Sequence, residues 1–487
     1  MMKTRETEGF LYERIAYEIA ALIEKGTYRP GTRIPSVREM SRQRNASVST
    51  ILEAYRLLEN RGQIEVRPQS GYYVSPGCCE GLPAPEERPE PVLDPMKVTV
   101  EELTMKVFKD TLDSGLVQFG AAIPDPALLP TARLGRILSR YARRDDVRQN
   151  ICGTSKGCEE LRVQVAKHIA GAGVSVSPEE LLITAGCMEA LSLSLRTVCS
   201  PGDTVAIESP TYFGVLQALE SQRLKALEIP THPVNGISLD ALRFAIENQR
   251  VNACVVMTNY SNPLGCTMSD ENKRLLVRLL ASKGIPLVED DIHGEIGFSA
   301  RRPTPAKAFD EKGLVLLCSS FSKDLSPIFR VGWVAPGIYM PEIERLKLAT
   351  NVSTPILTQL TIAEFLESGG YSHHLRKIRQ AYAEKTTRMA QAVQRYFPEG
   401  TRVSSPSGGF VLWIQLPETV DSLVLYRNAL KAGITLVPGY LFSPGDRYRN
   451  FIRLNAAYYS ERTDAAVKRL GELVDTLREP SDTPCAP

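Results

Sequence analysis

Six strand-length apolar runs punctuate the 487-residue chain between residues 180 and 335: ELLITA (180–185), DTVAI (203–207), NACVVM (252–257), GIPLVE (284–289), GLVLLC (313–318) and VGWVA (331–335). Most are apolar throughout rather than alternating. A strand with no polar face is buried on both sides, as in a parallel sheet covered by helices. Helical patterns fill the intervals. SDENKRLLVRLLASKG (269–284), for example, opens on Ser and Asp and stops at Gly. The expectation is a large α/β domain with a mainly parallel sheet. Residues 370–478 mix long helical patterns with strands such as GGFVLWIQL (408–416), which suits a smaller α+β lobe.

A chain of 487 residues is expected to form more than one domain. Hydrophobic residues at 43% and charged residues at 23% describe an ordinary globular protein. The net charge of +2 argues against a protein that coats nucleic acid along its whole surface. No run reaches ~18 uninterrupted apolar residues, so no membrane span is expected. MMKTRETEGF has no signal-type apolar stretch, which makes the cytoplasm the expected compartment. The ten cysteines are scattered, and none sits at zinc-ligand spacing with a histidine. They read as reduced thiols, most of them small core residues, and no metal site is expected.

PGCCEGLPAPEERPEPVLDP, from residue 76, is dense in proline and glutamate. It reads as an extended, semi-stiff linker. The expected division is a head over residues 1–76, a linker over 77–114 and a body over 115–487.

The head is rich in arginine, with twelve Lys/Arg against nine Asp/Glu from Lys3 to Arg67. Leu11, Ile15, Ile19 and Leu22 recur at helical spacing, and Gly26 ends that helix. Pro35-Ser36 opens a second helix, and NAS makes a turn. Ser47 caps a third helix whose Val48, Ile51, Tyr55 and Leu58 are expected to face inward. QIEVRPQSGYYV reads as two short strands about a turn. Helix, helix–turn–helix, then hairpin is a winged helix-turn-helix. Ser47, Ser49 and Thr50 at the start of the third helix are candidates to reach base edges. Arg38, Arg42, Arg44 and Arg67 are candidates for phosphate contacts. A small helical domain with a solvated basic face is the alternative.

The pattern from Gly26 to Arg38 (G-x-x-x-P-G-x-x-x-P-S-x-R), with AYRLLENRG and RPQSGYYV, resembles the GntR family of bacterial repressors. The resemblance implies a dimer of heads on an operator with two half-sites.

The body carries a second constellation. TAGCMEALSL follows a strand and opens a helix, so Gly186, Cys187 and Met188 could present backbone N–H groups to a phosphate. ESPTYFG sets Tyr212 beyond a strand end, able to stack on a ring. MTNYSNPLG supplies Asn262 before a proline, and VEDDIHGEI ends a strand in paired acids. CSSFSKDL supplies Ser320, Ser322 and Lys323, with Arg330 following. Singly, a strand-end aspartate is usually a cap, a lysine is usually solvated and Asn-Pro is usually a turn. Together, at the ends of proposed strands, they supply an amine, a carboxylate, an aromatic face and a phosphate cradle, which is what pyridoxal 5′-phosphate (PLP) needs. GAGVSV (171–176) begins like a dinucleotide fingerprint, but it follows a helix and lacks the third glycine.

This order resembles the fold type I aminotransferases over roughly residues 115–478. The resemblance implies that Lys323 carries the PLP aldimine, Asp290 pairs with the pyridine nitrogen, Asn262 bonds the ring oxygen and Tyr212 stacks. Ser320 and Arg330 would hold the phosphate with the amides of residues 186–188. NFIRLNAAY (450–458) matches the segment whose arginine grips a substrate carboxylate, which assigns that role to Arg453. A GntR head on such a body resembles the MocR-type regulators. That implies a cytoplasmic homodimer binding operator DNA and sensing a small amine, amino acid or vitamer through PLP. Two departures stand out. A tyrosine expected ahead of Gly157–Arg162 falls near Cys152, and His293 stands where many of the enzymes have tyrosine. Both favour a sensor over an efficient enzyme. A working aminotransferase acting on an amino acid is the alternative, and a cofactor-free dimerisation scaffold is a third.

Overall fold

The structure is a computed structural model in which residues 11–25, 27–29, 31–60, 63–67, 70–74, 82–86, 94–111, 113, 115–143, 154–299, 301–445 and 447–478 are described. The head contains α1 (Leu11–Glu24), α2 (Val37–Arg44), α3 (Val48–Asn60) and the antiparallel hairpin β1 (Ile64–Arg67) and β2 (Gly71–Val74). Ser36 caps α2 through a reciprocal box with Glu39, and Asn45 closes it in a left-handed conformation. Ile15, Ile19 and Ile23 of α1 pack on Ile51, Tyr55 and Leu58 of α3, with Val74 of the wing beside them. Each such side chain stabilises the head by about 1.5–3 kcal/mol when fully buried. Val48 and Leu11, expected inside, are exposed. Each lies in the first turn of its helix, short of the crossing where α1 and α3 meet.

Residues 94–111 differ from the extended linker expected of them. They form the edge strand β3 (Met96–Lys97) and helix α4 (Glu101–Asp110). Val98, Val100 and Val107 enter the main core. Val98 and Val100 precede the helix and Val107 lies within it, two turns after Val100, so this stretch has apolar side chains to bury.

The body continues with β4 (Val117–Gln118), α5 (Thr131–Ala142), α6 (Glu159–Ala170), β5 (Leu182–Thr184), α7 (Cys187–Val198), β6 (Thr204–Ser209), α8 (Phe213–Ser221), β7 (Lys225–His232) and β8 (Gly236–Ile237). Then come α9 (Leu239–Asn248), β9 (Ala253–Val256), α10 (Asp270–Ser282), β10 (Leu287–Asp290), β11 (Val315–Ser320) and β12 (Gly332–Ala335). The large sheet runs β3-β7-β6-β9-β10-β11-β12-β5, with β8 beside β7. Its centre, β7-β6-β9-β10-β11, is parallel. Strand β12, read from sequence as one of the parallel set, is antiparallel to both β11 and β5. The cause is the connection 321–331, too short for a crossover helix. That reversing loop holds Lys323.

Helices α11 (Met340–Asn351), α12 (Ile356–Glu367) and α13 (Gly370–Tyr396) lead to the smaller lobe. Its sheet joins β13 (Arg402–Val403) and β14 (Val411–Gln415). After α14 (Ser422–Lys431) and β15 (Ile434–Thr435) it adds β16 (Val437–Pro438) and β17 (Phe451–Asn455). The chain's last described helix is α15 (Glu461–Arg478). Among the described residues no helix is long and apolar enough to cross a membrane, and no His/Cys/Asp/Glu cluster could hold a metal.

Candidate functional site

Strands β5, β6, β9, β10 and β11 end on one edge of the large sheet, where a parallel α/β sheet opens its ligand crevice. The residues singled out from sequence follow those ends: Gly186 after β5, Tyr212 after β6, Asn262 after β9, Asp290 closing β10 and Lys323 after β11. Strand β17 of the smaller lobe supplies Arg453.

The Lys323 amine donates to the backbone carbonyl of Ala122 at 2.5 Å. Burial, then the nearby Arg453 cation, lowers it to about 8, with Asp290 opposing. Asp290 is 3% exposed. Its Oδ1 accepts from the Ile292 N–H at 3.1 Å and from the Cys187 thiol at 3.3 Å. Burial pushes this carboxyl up to about 6 despite those donors.

Arg453 is fully buried. It donates to Asn262 Oδ1 at 3.2 Å and to the Gly120 carbonyl at 2.7 Å. Phe213 and Phe442 flank its guanidinium at 5.5 Å and 5.4 Å. Desolvation lowers it to about 10, so it stays cationic at neutral pH. Its Nε is buried with no hydrogen-bond partner among the described residues.

The Nδ1–H of buried His293 donates to the Tyr260 carbonyl at 2.9 Å. A carbonyl only accepts, so the proton sits on Nδ1 and Nε2 carries a lone pair. Burial lowers this imidazole to about 4. Burial raises the Tyr212 hydroxyl to about 12. Ser320 Oγ accepts from the Ser322 N–H at 3.3 Å, while the buried Ser322 Oγ has no partner among the described residues.

Gly186 caps α7 at φ 96, and a Cβ there would lie 2.5 Å from Arg330 Nη2. A bare glycine is what lets the guanidinium lie across the helix start. Arg330 donates to the Ala185 carbonyl at 3.0 Å, and Cys187 and Met188 are the first two residues of α7. A helix N-terminus, two hydroxyls and a guanidinium are groups of the kind that bind an anion.

In the head, Ser47 Oγ lies 2.8 Å from Ser49 Oγ and 2.7 Å from Thr50 Oγ1, and accepts from the Thr50 N–H at 3.1 Å. These hydroxyls gather at the start of α3, where Ser47 and Ser49 are exposed and Thr50 is half-buried. Arg38 and Arg42 are exposed on α2, whereas Arg44 is paired with Glu18 of α1. Arg67 lies in β1, but its side chain falls outside the described residues, as do Gly26 and Cys152.

Sequence reasoning missed the segment 119–123. Its carbonyls at Gly120 and Ala122 receive Arg453 and Lys323. Backbone carbonyls leave no side-chain signature; the small residues Gly120, Ala121 and Ala122 are the one local sign that the backbone is approached closely there. It also missed the support behind the lysine. Tyr382 donates to the Lys323 carbonyl at 3.2 Å, and Tyr371 bonds the Asp324 carboxyl.

Residues 124–470 match the class I and II aminotransferase family, and residues 11–74 match the GntR family of bacterial regulatory proteins. The chain is 40% identical to the HTH-type transcriptional regulator YdcR of Escherichia coli, over 95% of this chain and 98% of that one. It is 37% identical to YjiR of the same organism, over the same shares. Among solved structures it resembles the α-aminoadipate aminotransferase LysN of Thermus thermophilus, complexed with N-(5′-phosphopyridoxyl)-L-leucine. The TM-score is 0.71 at 29% identity, covering 76% of this chain and 95% of that one. It matches the Pyrococcus horikoshii kynurenine aminotransferase with the same TM-score and identity, over 79% and 96%. The fold is thus an N-terminal GntR helix-turn-helix joined to a fold type I aminotransferase body. The GntR head implies DNA binding, and the family of the body implies PLP dependence. The chain belongs to the MocR-type transcription regulators, which join a GntR helix-turn-helix to an aminotransferase-like domain, in the branch of YdcR.

Proposed function

We propose that the chain is a homodimeric DNA-binding regulator whose body holds PLP and senses through it a small amine, amino acid or vitamer. Residues 1–76 form the DNA-binding head, 77–114 the connection and 115–487 the effector body, with 94–111 docked on that body. The observation that carries this reading is the convergence of the Lys323 amine, the Asp290 carboxylate and the Arg453 guanidinium at one sheet end, in a chain with a winged-helix head.

The residues present fit PLP. The orphaned Ser322 Oγ and Arg453 Nε suit a polar ligand, and the bare Cα of Gly186 lets the Arg330 cation lie against the start of α7, where an anion would bind. Bound PLP supplies an electron-poor ring and an aldehyde able to exchange one amine for another. Asp290 would hold the proton of the ring nitrogen. The N–H groups of Cys187 and Met188, with Ser320, Ser322 and Arg330, would hold the phosphate. Tyr212 would cover the ring face. Asn262, whose Oδ1 is taken by Arg453, would offer its –NH2 to the ring oxygen, and His293 would offer a lone pair. With its amine lowered to about 8, Lys323 is partly free base near neutral pH, ready to take or give a proton at Nζ. Arg453 would grip a ligand carboxylate. Sensing requires that the ligand bind two arrangements of lobes and heads with unequal affinity.

Two assays test this. Lys323→Ala should abolish the visible absorbance of PLP-loaded protein; an unchanged spectrum overturns the cofactor half. Genomic footprinting should find specific operators of two half-sites; their absence overturns the DNA half. One observation favours a second reading, a working aminotransferase: the lowered Lys323 amine suits proton transfer. Repeated turnover with an amino donor and a keto acid, lost in Lys323→Ala, would establish that reading.

A further inference from the structure

We propose that Cys187 is a positioning residue for Asp290: its thiol engages Oδ1 and aims the other carboxylate oxygen at the ring nitrogen of bound PLP. The proposal rests on the cofactor reading above. Cys187 is the first residue of α7, and its side chain is 5% exposed. The thiol turns away from solvent, under the sheet edge, to within 3.3 Å of Asp290 Oδ1. The Ile292 N–H reaches the same oxygen at 3.1 Å. Two donors from different elements on one oxygen lock the rotation of the carboxylate. Asp290 Oδ2 accepts no hydrogen bond among the described residues. That oxygen is the one left for a ligand.

Cys187 therefore has two ends. Its N–H lies at the helix start, where the phosphate would bind. Its side chain fixes the acid that would meet the opposite end of the cofactor, the ring nitrogen. One residue sets the spacing between the two anchors. The choice of a thiol matters chemically. It is a weak donor, so it orients the carboxylate while withdrawing little of its basicity. A hydroxyl would stabilise the ionised form more, and a methyl not at all.

The charged and titratable groups facing Asp290 are Cys187 of α7, Glu208 of β6, Tyr212 beyond it, Asp291 on its own strand's exit, Cys318 of β11 and Lys323 beyond that. All but the first are constant across substitutions at 187, so a series there isolates the thiol.

The experiment measures PLP affinity by absorbance titration from pH 5 to pH 8 in wild type, Cys187→Ala, Cys187→Ser and Lys323→Ala. Folding is checked in each by circular dichroism. Affinity should rise with pH as Asp290 ionises. In Cys187→Ala the midpoint should move up by about half a unit, which is about a threefold loss of affinity on the acid side. In Cys187→Ser it should lie at or below the wild-type value. A midpoint common to all three, or a loss in Cys187→Ala that is equal at every pH and not rescued by serine, overturns the role of Cys187 while a Lys323-dependent band leaves the cofactor reading standing. A wild type with no such band overturns both.

Discussion

Arg453 Nη1 donates to Asn262 Oδ1 across 3.2 Å, joining β17 of the smaller lobe to the turn after β9 of the large sheet. The same guanidinium reaches the Gly120 carbonyl, so three separate chain segments meet on one side chain. A planar fork does this; a lysine ammonium would not. Arg453→Lys is therefore expected to cut amino-acid affinity about tenfold or more, read as a shift of the ligand-dependent absorbance titration. Affinity for amines without a carboxylate should change far less.

Glu208 sits fully within the sheet on β6. Its Oε2 accepts from the Met257 N–H at 2.9 Å, while Oε1 has no partner among the described residues. Burial raises it to about 8. The folded state then holds a proton that the unfolded chain releases near 4.5, so this group's contribution is full at low pH and lost as pH rises through 8. Glu208→Gln keeps an acceptor for Met257 and removes the titration. Denaturant unfolding should show the variant more stable than wild type at pH 9, by on the order of a few kcal/mol, with the gap closed at pH 5. A pH-independent gap would contradict the assignment.

His293 behaves with the opposite sign. Its folded value of about 4 lies below the unfolded 6.5, so its contribution is present above pH 6.5 and lost as pH falls through 4. His293→Asn retains a donor for the Tyr260 carbonyl and cannot protonate. The acid limb of its stability curve should be shallower than that of wild type. Superimposable curves would show that this ring is not held neutral.

The head separates its arginines. Arg38 and Arg42 are exposed on α2, and Arg44 is held by Glu18. Arg38→Ala and Arg42→Ala should each weaken operator and non-operator DNA alike and lower the salt slope by about 1. Arg44→Ala should do less to DNA. Ser47→Ala should lower head stability by about 1 kcal/mol through its cap to Thr50. Fluorescence anisotropy at several salt concentrations and thermal melts read the two effects separately.

Much of the site was legible because side chains with distinct chemistry recur at strand ends: Tyr212, Asn262, Asp290 and Lys323 each follow or close an apolar run. Other features were not. The antiparallel direction of β12 depends on the length of a loop, which an apolar run does not reveal. Val48 has the right period and the wrong depth, since periodicity marks a face but not where along it a partner helix crosses. Residues 94–111 were masked by the composition of the proline-rich stretch before them.

By itself, the sequence determined most of the elements outside residues 94–111 and which chemistry the chain carries, since periodicity, caps and residue type are local properties. Tertiary structure alone decided how those groups are tuned. The Gly120 and Ala122 carbonyls lie more than two hundred residues from the arginine and the lysine they receive. The neutral state of His293 comes from burial and from the Lys323 and Arg453 cations nearby, against the pull of the Tyr260 carbonyl, which fixes the tautomer. Direction of a proton, depth of a charge and the aim of a carboxylate are set by neighbours in space, and no short stretch of chain encodes them.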